Sequence, residues 1–155
     1  MKKALLLMAV MGLVYMDVEI SYGAITALKW PLIGQSSLWM MLEGGLLCYV
    51  LGLYNEKGCI AGRLSYRACV LLGAVTIIGM ELVSGIILNK WLGFGIWDYS
   101  SARFNFLGQI DLVHSICWLL ITPMAFWLDD VMRHYMFAEE RPESIATYYK
   151  GAFWL

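Results

Sequence analysis

Trp97-Asp98-Tyr99-Ser100-Ser101-Ala102-Arg103-Phe104-Asn105-Phe106-Leu107-Gly108-Gln109-Ile110-Asp111-Leu112-Val113-His114-Ser115-Ile116-Cys117-Trp118 is the stretch on which the reading of this chain turns. Its first half is polar and aromatic; from Gly108 it becomes apolar, yet it still carries Asp111 and His114. Ionisable groups in a hydrocarbon layer are expensive and usually have a partner or a task. The second half therefore reads as the start of a membrane-crossing helix over residues 108–128, and the first half as a loop above it.

Working outward, three more apolar runs each approach the ~20 residues that a helix needs to cross a ~30 Å hydrocarbon core. They cover residues 68–88 with Glu81, 38–54 with Glu43, and 4–24 with Asp17 and Glu19. Lys29-Trp30-Pro31 reads as an interfacial turn, because Pro breaks a helix and Trp prefers the headgroup level. Asn55-Glu56-Lys57-Gly58 is a second turn. Residues 89–107 are too polar and too often interrupted by Gly to span, and Pro123 is tolerable because neighbouring groups satisfy the carbonyl it frees. Asp129-Asp130 closes the last span; beyond it, and after Pro142, an aromatic segment suits the membrane surface. Lys2-Lys3 and the apolar residues 4–16 look like a secretory signal, but Ser21-Tyr22-Gly23 is a poor cleavage site, so retention of residues 1–23 is the favoured reading.

The predicted fold is all-α: an integral membrane four-helix bundle with an extracytoplasmic aromatic loop and a C-terminal interfacial segment. Residues 1–130 form the transmembrane domain and 131–155 a cytoplasmic or interfacial tail. Composition agrees, since 61% of the 155 residues are hydrophobic and only 15% charged, far from a soluble domain. A net charge of −1 without a basic run excludes nucleic acid as a partner. The four cysteines show no CxxC or zinc-type spacing and read as reduced thiols. No P-loop motif is present, and although Asp111, His114 and Ser115 are close in sequence, adjacent helical residues point about 100° apart, which disfavours a catalytic triad. No cofactor is expected.

Basic residues set the orientation. Lys2, Lys3, Lys57, Arg63, Arg67, Arg133, Arg141 and Lys150 share one side, against Lys29, Lys90 and Arg103 on the other. The positive-inside rule makes both termini cytoplasmic in a multi-pass cell-membrane protein. Asp17 and Glu81 then sit ~20 Å into the ~30 Å core, and Glu43, Asp111 and His114 lie within a few residues of its outer edge. Asp111 and His114, three apart, share a helix face, whereas Asp17 and Glu19 cannot both face the centre. Four such acids cost on the order of 10 kcal/mol unless solvated, protonated or paired. They read as an outward-opening acidic site roofed by the 89–107 loop, as groups that hydrogen-bond one another and nearby Ser, Asn and Trp to hold the helices together, or as groups that sit nearer the interface and are simply solvated. A metal held by Glu43, Glu81, Asp111 and His114 has acceptable ligand types but no diagnostic spacing.

Trp39-Met40-Met41-Leu42-Glu43, Asn55-Glu56-Lys57-Gly58 with Gly62, Glu81, Asn89, Trp97-Asp98-Tyr99-Ser100, Phe104-Asn105, Gly108-Gln109-Ile110 and Trp118 resemble the bacterial membrane family of ABC-transporter type IV permeases. Residues 97–118 carry the most specific part. Two positions depart from the family pattern: Arg103 stands in place of Pro, and Gln109 in place of Arg; Asp111 and His114 lie outside the motif. The resemblance implies a permease in the bacterial inner membrane working with a separate ATPase, although residues 55–67 make a short loop for docking one.

The function expected is a transporter or permease-like subunit with an outward-facing acidic intramembrane site, forming a homo-oligomer because four helices enclose little space. Glu43 and Glu81, with Asp17, are the expected ligand- or proton-binding carboxylates, and Asp111 and His114 a relay. Trp97, Asp98, Tyr99, Asn105 and Gln109 are expected to order the loop above them. A non-catalytic scaffold or accessory subunit is the alternative; a metal-dependent membrane enzyme ranks below both.

Overall fold

Each of the four apolar runs forms a helix long enough to cross a membrane. The structure, a computed structural model, describes residues 2–27 and 36–154; the Lys29-Trp30-Pro31 turn lies outside the described residues. In chain order the helices are α1 (Lys2–Ala27), α2 (Leu38–Tyr54), α3 (Tyr66–Gly85), α4 (Leu112–Phe137) and the short α5 (Ile145–Phe153). α2 and α3 each run on into a single π-helical turn, Asn55–Ile60 and Ile86–Trp91. The fold is all-α, as predicted, apart from one two-stranded hairpin of β1 (Asn105–Phe106) and β2 (Ile110–Asp111).

The chain divides into two compact units, Met1–Val50 and Leu51–Leu155. In the first, α1 and α2 meet through glycine. A Cβ on Gly12 would strike the Met41 carbonyl, and one on Gly45 the Met8 carbonyl, while Gly44 lies under the Tyr15 ring. Helices in lipid gain their packing energy from close contact more than from water exclusion, and small residues permit that approach. Glu19 accepts a hydrogen bond from Ser36 at 2.6 Å.

In the second unit α3 packs on α4 around buried Cys69, Val70, Ala74, Ile77, Thr122 and Phe126. Gly73 faces Thr122, Leu51 and Phe126, where a Cβ would lie 2.8 Å from Thr122 Cγ2. Ser65 caps α3, its hydroxyl accepting from Ala68 N–H at 3.3 Å. α5 docks on both helices. Tyr66 meets the rings of Phe126 and Tyr148 edge-on at 6.0 and 6.1 Å, Tyr149 donates to the Leu120 carbonyl, and Arg67 donates to the Trp154 carbonyl.

Two expectations change. The fourth helix starts at Leu112, not 108, because residues 105–111 pair as a hairpin; it then runs through Asp129-Asp130 to Phe137, so the division drawn at residue 130 falls inside α4. The helix continues there because Asp129 is neutralised one turn on by Arg133, whose Nε donates to it at 2.5 Å. The cysteines also differ from the reduced set expected. The π-helical turn brings Cys59 onto Cys69 as a disulfide, and Cys48 and Cys117 are thiols.

Candidate functional site

Glu81 lies on the buried face of α3 and is only 7% exposed. Its carboxylate takes one hydrogen bond at each oxygen. Tyr99 Oη donates to Oε1 at 3.0 Å, and Trp118 Nε1 donates to Oε2 at 2.9 Å. One donor comes from the loop and the other from α4, so the acid ties three segments together. Both donors are neutral. The Tyr99 ring stacks on His114, with centroids 4.5 Å apart and planes 25° from parallel. His114 Nδ1 in turn pairs with Asp111 Oδ2.

The loop that delivers Tyr99 is built locally. Asn89, in the π-helical turn after α3, donates from Nδ2 to the Trp97 carbonyl at 3.0 Å and to Gln109 Oε1 at 2.9 Å, and its Oδ1 accepts from Ile96 N–H at 2.7 Å. Trp97 Nε1 donates to the Gln109 carbonyl at 3.0 Å, and Gln109 is 3% exposed. Below them Gly85 provides room: a Cβ there would lie 2.5 Å from Gln109 Oε1.

The three-residue hairpin connection, Leu107 to Gln109, places Leu107 at φ 56° and Gly108 at φ 69°, both left-handed. Gly108 is required twice, since a Cβ would also meet Ser100 Oγ and lie 2.9 Å from Asp98 Oδ1. Asn105 holds the turn from inside, donating to the Ala102 carbonyl at 2.6 Å and accepting from Gly108 N–H at 3.0 Å.

Asp98 accepts from the Ser100 hydroxyl at 2.5 Å and the Ser100 N–H at 2.8 Å. These bonds hold its carboxyl below the usual range. Asp111 caps α4, accepting from Val113 N–H at 2.8 Å and His114 N–H at 3.2 Å. Burial pushes its carboxyl up, but the bonds from the His114 ring and backbone outweigh that, and the net direction is down. Asp111 therefore anchors the first turn of α4 and orients His114.

The structure thus brings Glu81, Tyr99, His114 and Asp111 into one cluster, with Trp97, Asp98, Asn105 and Gln109 ordering the loop around it. Asp111 serves as the helix cap and not as a residue three positions into the helix. Glu43 and Asp17 belong to the first unit. Glu43 is buried there just before Gly44-Gly45, whereas Asp17 is exposed on α1. Of the Asp17 and Glu19 pair it is Glu19 that is half-buried and hydrogen-bonded.

Trp118 and Asn89 are as central as any expected residue, and Trp118 had a legible signal: it follows His114 by four, on the same helix face. A second polar cluster had a weaker one, the i, i+4 spacing of Asp129 and Arg133. Ligand atoms of Glu56, Asp129 and Asp130 come within 4.8 Å of one another, a grouping of metal-ligating type. Arg133 already compensates it, reaching Asp129 at 2.5 Å and Glu56 at 3.8 Å, which makes it an ion-pair network. Glu81, Asp111 and His114 instead spend their polar atoms on Tyr99, Trp118 and each other.

The sequence profile of the family described as "Putative ABC-transporter type IV" matches residues 12–150. No curated protein and no solved structure matches the chain.

Proposed function

Because the chain belongs to this ABC-transporter type IV family and is a transporter-like membrane protein with four membrane-capable helices, we propose that it is a permease-like subunit in which Glu81 binds a proton or a small cation. The observation that carries this reading is the neutral donor pair on Glu81. No ion pair to it is found among the described residues, and both of the side chains that donate to it are neutral.

The two donors are not equivalent. Trp118 Nε1 can only donate, whereas the Tyr99 hydroxyl can donate or accept. A proton arriving at Glu81 is accommodated at Oε1, facing Tyr99, with the hydroxyl reversed to accept; Oε2 stays an acceptor for Trp118. Reversal frees the Tyr99 hydrogen to point elsewhere, which is the step a relay needs. His114, stacked on Tyr99 and paired with Asp111, holds the Tyr99 ring in place beside Glu81.

The positive-inside distribution supports an orientation with both termini cytoplasmic, in which this cluster opens outward. Family membership supports a separate ATPase as partner, and the small number of helices supports a homo-oligomer. Within the first unit, Glu43 is the candidate carboxylate.

The test is the melting temperature of the purified protein and of Glu81→Gln across pH 5–8, with and without a panel of monovalent and divalent cations. Wild type is expected to shift with one of these and the variant to stay flat. If the two melt alike throughout, Glu81 binds nothing and the proton or cation reading fails. A second reading has its own support: the Glu81 bonds tie the loop to α3 and α4, as a scaffold or accessory subunit would require. That reading expects Glu81→Gln to melt lower by the same amount under every condition.

A further inference from the structure

The two hydrogen bonds on Glu81 differ in what they permit, and the difference discriminates between a proton and a metal cation. Trp118 meets Oε2 with its Nε1–H at 2.9 Å, and Tyr99 meets Oε1 with its hydroxyl at 3.0 Å. An indole attracts a cation at its face and repels it at its hydrogen-bearing edge. The edge is what Glu81 meets. Because an indole N–H can only donate, Oε2 always faces the positive end of that bond. The Tyr99 hydroxyl can turn from donor to acceptor, so Oε1 is able to carry a hydrogen.

A metal cation asks for more than this. Magnesium and calcium take about six to eight oxygen ligands, and the acceptors at this end of α3 are engaged. Gln109 Oε1 takes the Asn89 amide at 2.9 Å, Asp111 pairs with His114, and the Ser84 hydroxyl is turned to the Met80 carbonyl at 2.7 Å. Among the described residues, three ligand atoms of metal-binding type gather within 4.8 Å of one another at Glu56, Asp129 and Asp130, not at Glu81. Glu81 is also buried, which leaves little of it open to the waters that complete a cation's shell.

We propose that Trp118 is the residue that makes Glu81 a proton site and shuts out metal cations. This rests on the proton or cation reading of Glu81 and chooses between its two ligands. Uptake of one proton forms the Oε1–H bond and turns Tyr99 into the acceptor, while the Trp118 bond to Oε2 is kept throughout. The other titratable groups around the site are Tyr99 from the loop, Asp111 at the cap of α4 and His114 in its first turn. From Val70 to Gly85 α3 carries no ionisable group but Glu81, and Lys90, in the π-helical turn after it, is exposed.

The experiment compares the full chain in detergent with Glu81→Gln, Trp118→Phe and the double variant. Melting temperature is read across pH 5–8 and against sodium, potassium, magnesium and calcium at constant ionic strength. Infrared spectra record the carbonyl stretch of a protonated carboxyl, and subtraction of the Glu81→Gln spectrum separates Glu81 from Asp111 and His114. Wild type is expected to show this band with a pH midpoint that no cation moves; a cation competing for the carboxylate would move it by about one pH unit per tenfold rise in concentration. Trp118→Phe is expected to keep the band and to gain several degrees of cation-dependent stabilisation, which the double variant loses. Selection by Trp118 is overturned, with the reading of Glu81 intact, if a cation moves the wild-type midpoint, or if Trp118→Phe gains no cation response that depends on Glu81. Both fall if the band is absent and no cation distinguishes wild type from Glu81→Gln. Should Trp118→Phe not fold, the wild-type midpoint decides.

Discussion

Adding one methyl group at either of two glycines in α3 gives opposite expected results. At Gly85 a Cβ would lie 2.5 Å from Gln109 Oε1 and 3.0 Å from both Gln109 Cβ and Trp97 Cζ2, well inside the 3.4 Å at which ordinary contact begins. Gln109 cannot swing away freely, because Asn89 Nδ2 holds its Oε1 at 2.9 Å. Overpacking of this kind costs ~1–3 kcal/mol and the displaced hydrogen bond ~1 kcal/mol more, against ~1 kcal/mol gained from helix propensity. Gly85→Ala should therefore lose ~1–3 kcal/mol. At Gly79, in the same helix, nothing lies within 4 Å, so Gly79→Ala should gain up to ~1 kcal/mol. For a chain of this size the two melting points should differ on the order of 5–15 °C. Intrinsic tryptophan fluorescence during thermal unfolding in detergent measures this. If Gly85→Ala melts at or above Gly79→Ala, the loop does not rest on α3 at Gly85, and the delivery of Tyr99 to Glu81 loses its structural basis.

Tyr99→Phe keeps the stack on His114 and removes the donor to Glu81 Oε1; it should cost ~1–1.5 kcal/mol, seen as a lower melting temperature at pH 7, and an unchanged value would mean that bond is not made. Asp98 is held below its ordinary pKa by Ser100, so the unfolded chain binds the proton more readily. The stabilisation of the loop is therefore fully present above the ordinary carboxyl value of ~3.9 and is lost as pH falls through the depressed one. Amide protection at Ser100 should stay flat from pH 7 down to ~4 and fall only below that, whereas a fall beginning near pH 6 would rule Asp98 out as its cause. Maleimide labelling of the unfolded, unreduced protein should modify Cys48 and Cys117 alone, with Cys59 and Cys69 added after reduction; four labels at the outset would exclude the pair.

Hydropathy and length were enough to read the four spans, because each run of apolar residues must bury its backbone polar groups in a helix whatever its neighbours do. The weight of residues 97–118 was legible too: Asp98, Tyr99, Asn105 and Gln109 all act where the loop is ordered. Where α4 begins was not. Gly108 looks like the first residue of an apolar helix, and only the pairing of Asn105 with Asp111 and Phe106 with Ile110 makes it a turn. Such pairing depends on two segments meeting, which no local pattern records. The same limit hid the partners of Glu81. Tyr99 lies 18 residues away and Trp118 lies 37 away, so the acid was visible as an anomaly long before its neutral donors could be named. On α1 the 3.6-residue period showed that Asp17 and Glu19 diverge, but not which one finds a partner.

The cysteine pair bears on orientation. Cys59 lies in the segment that the positive-inside rule assigns to the cytoplasm through Lys57, Arg63 and Arg67, and a cytoplasm keeps thiols reduced. The conflict is resolved by what else fixes that segment. Gly62 N–H donates to the Cys59 carbonyl at 2.9 Å, and Arg63 and Leu64 N–H donate to the Gly58 carbonyl at 2.8 and 3.0 Å. Ser65 then caps α3, and Asn55 is tied to Asp130. Five hydrogen bonds thus close residues 55–68 without the sulfurs, so the segment holds its course whether or not the bond is made. Closing so short a loop would add ~2–3 kcal/mol when oxidised, a bonus and not a requirement. The course of residues 55–67 therefore does not depend on the oxidation state of Cys59 and Cys69, and the labelling pattern reads that state directly.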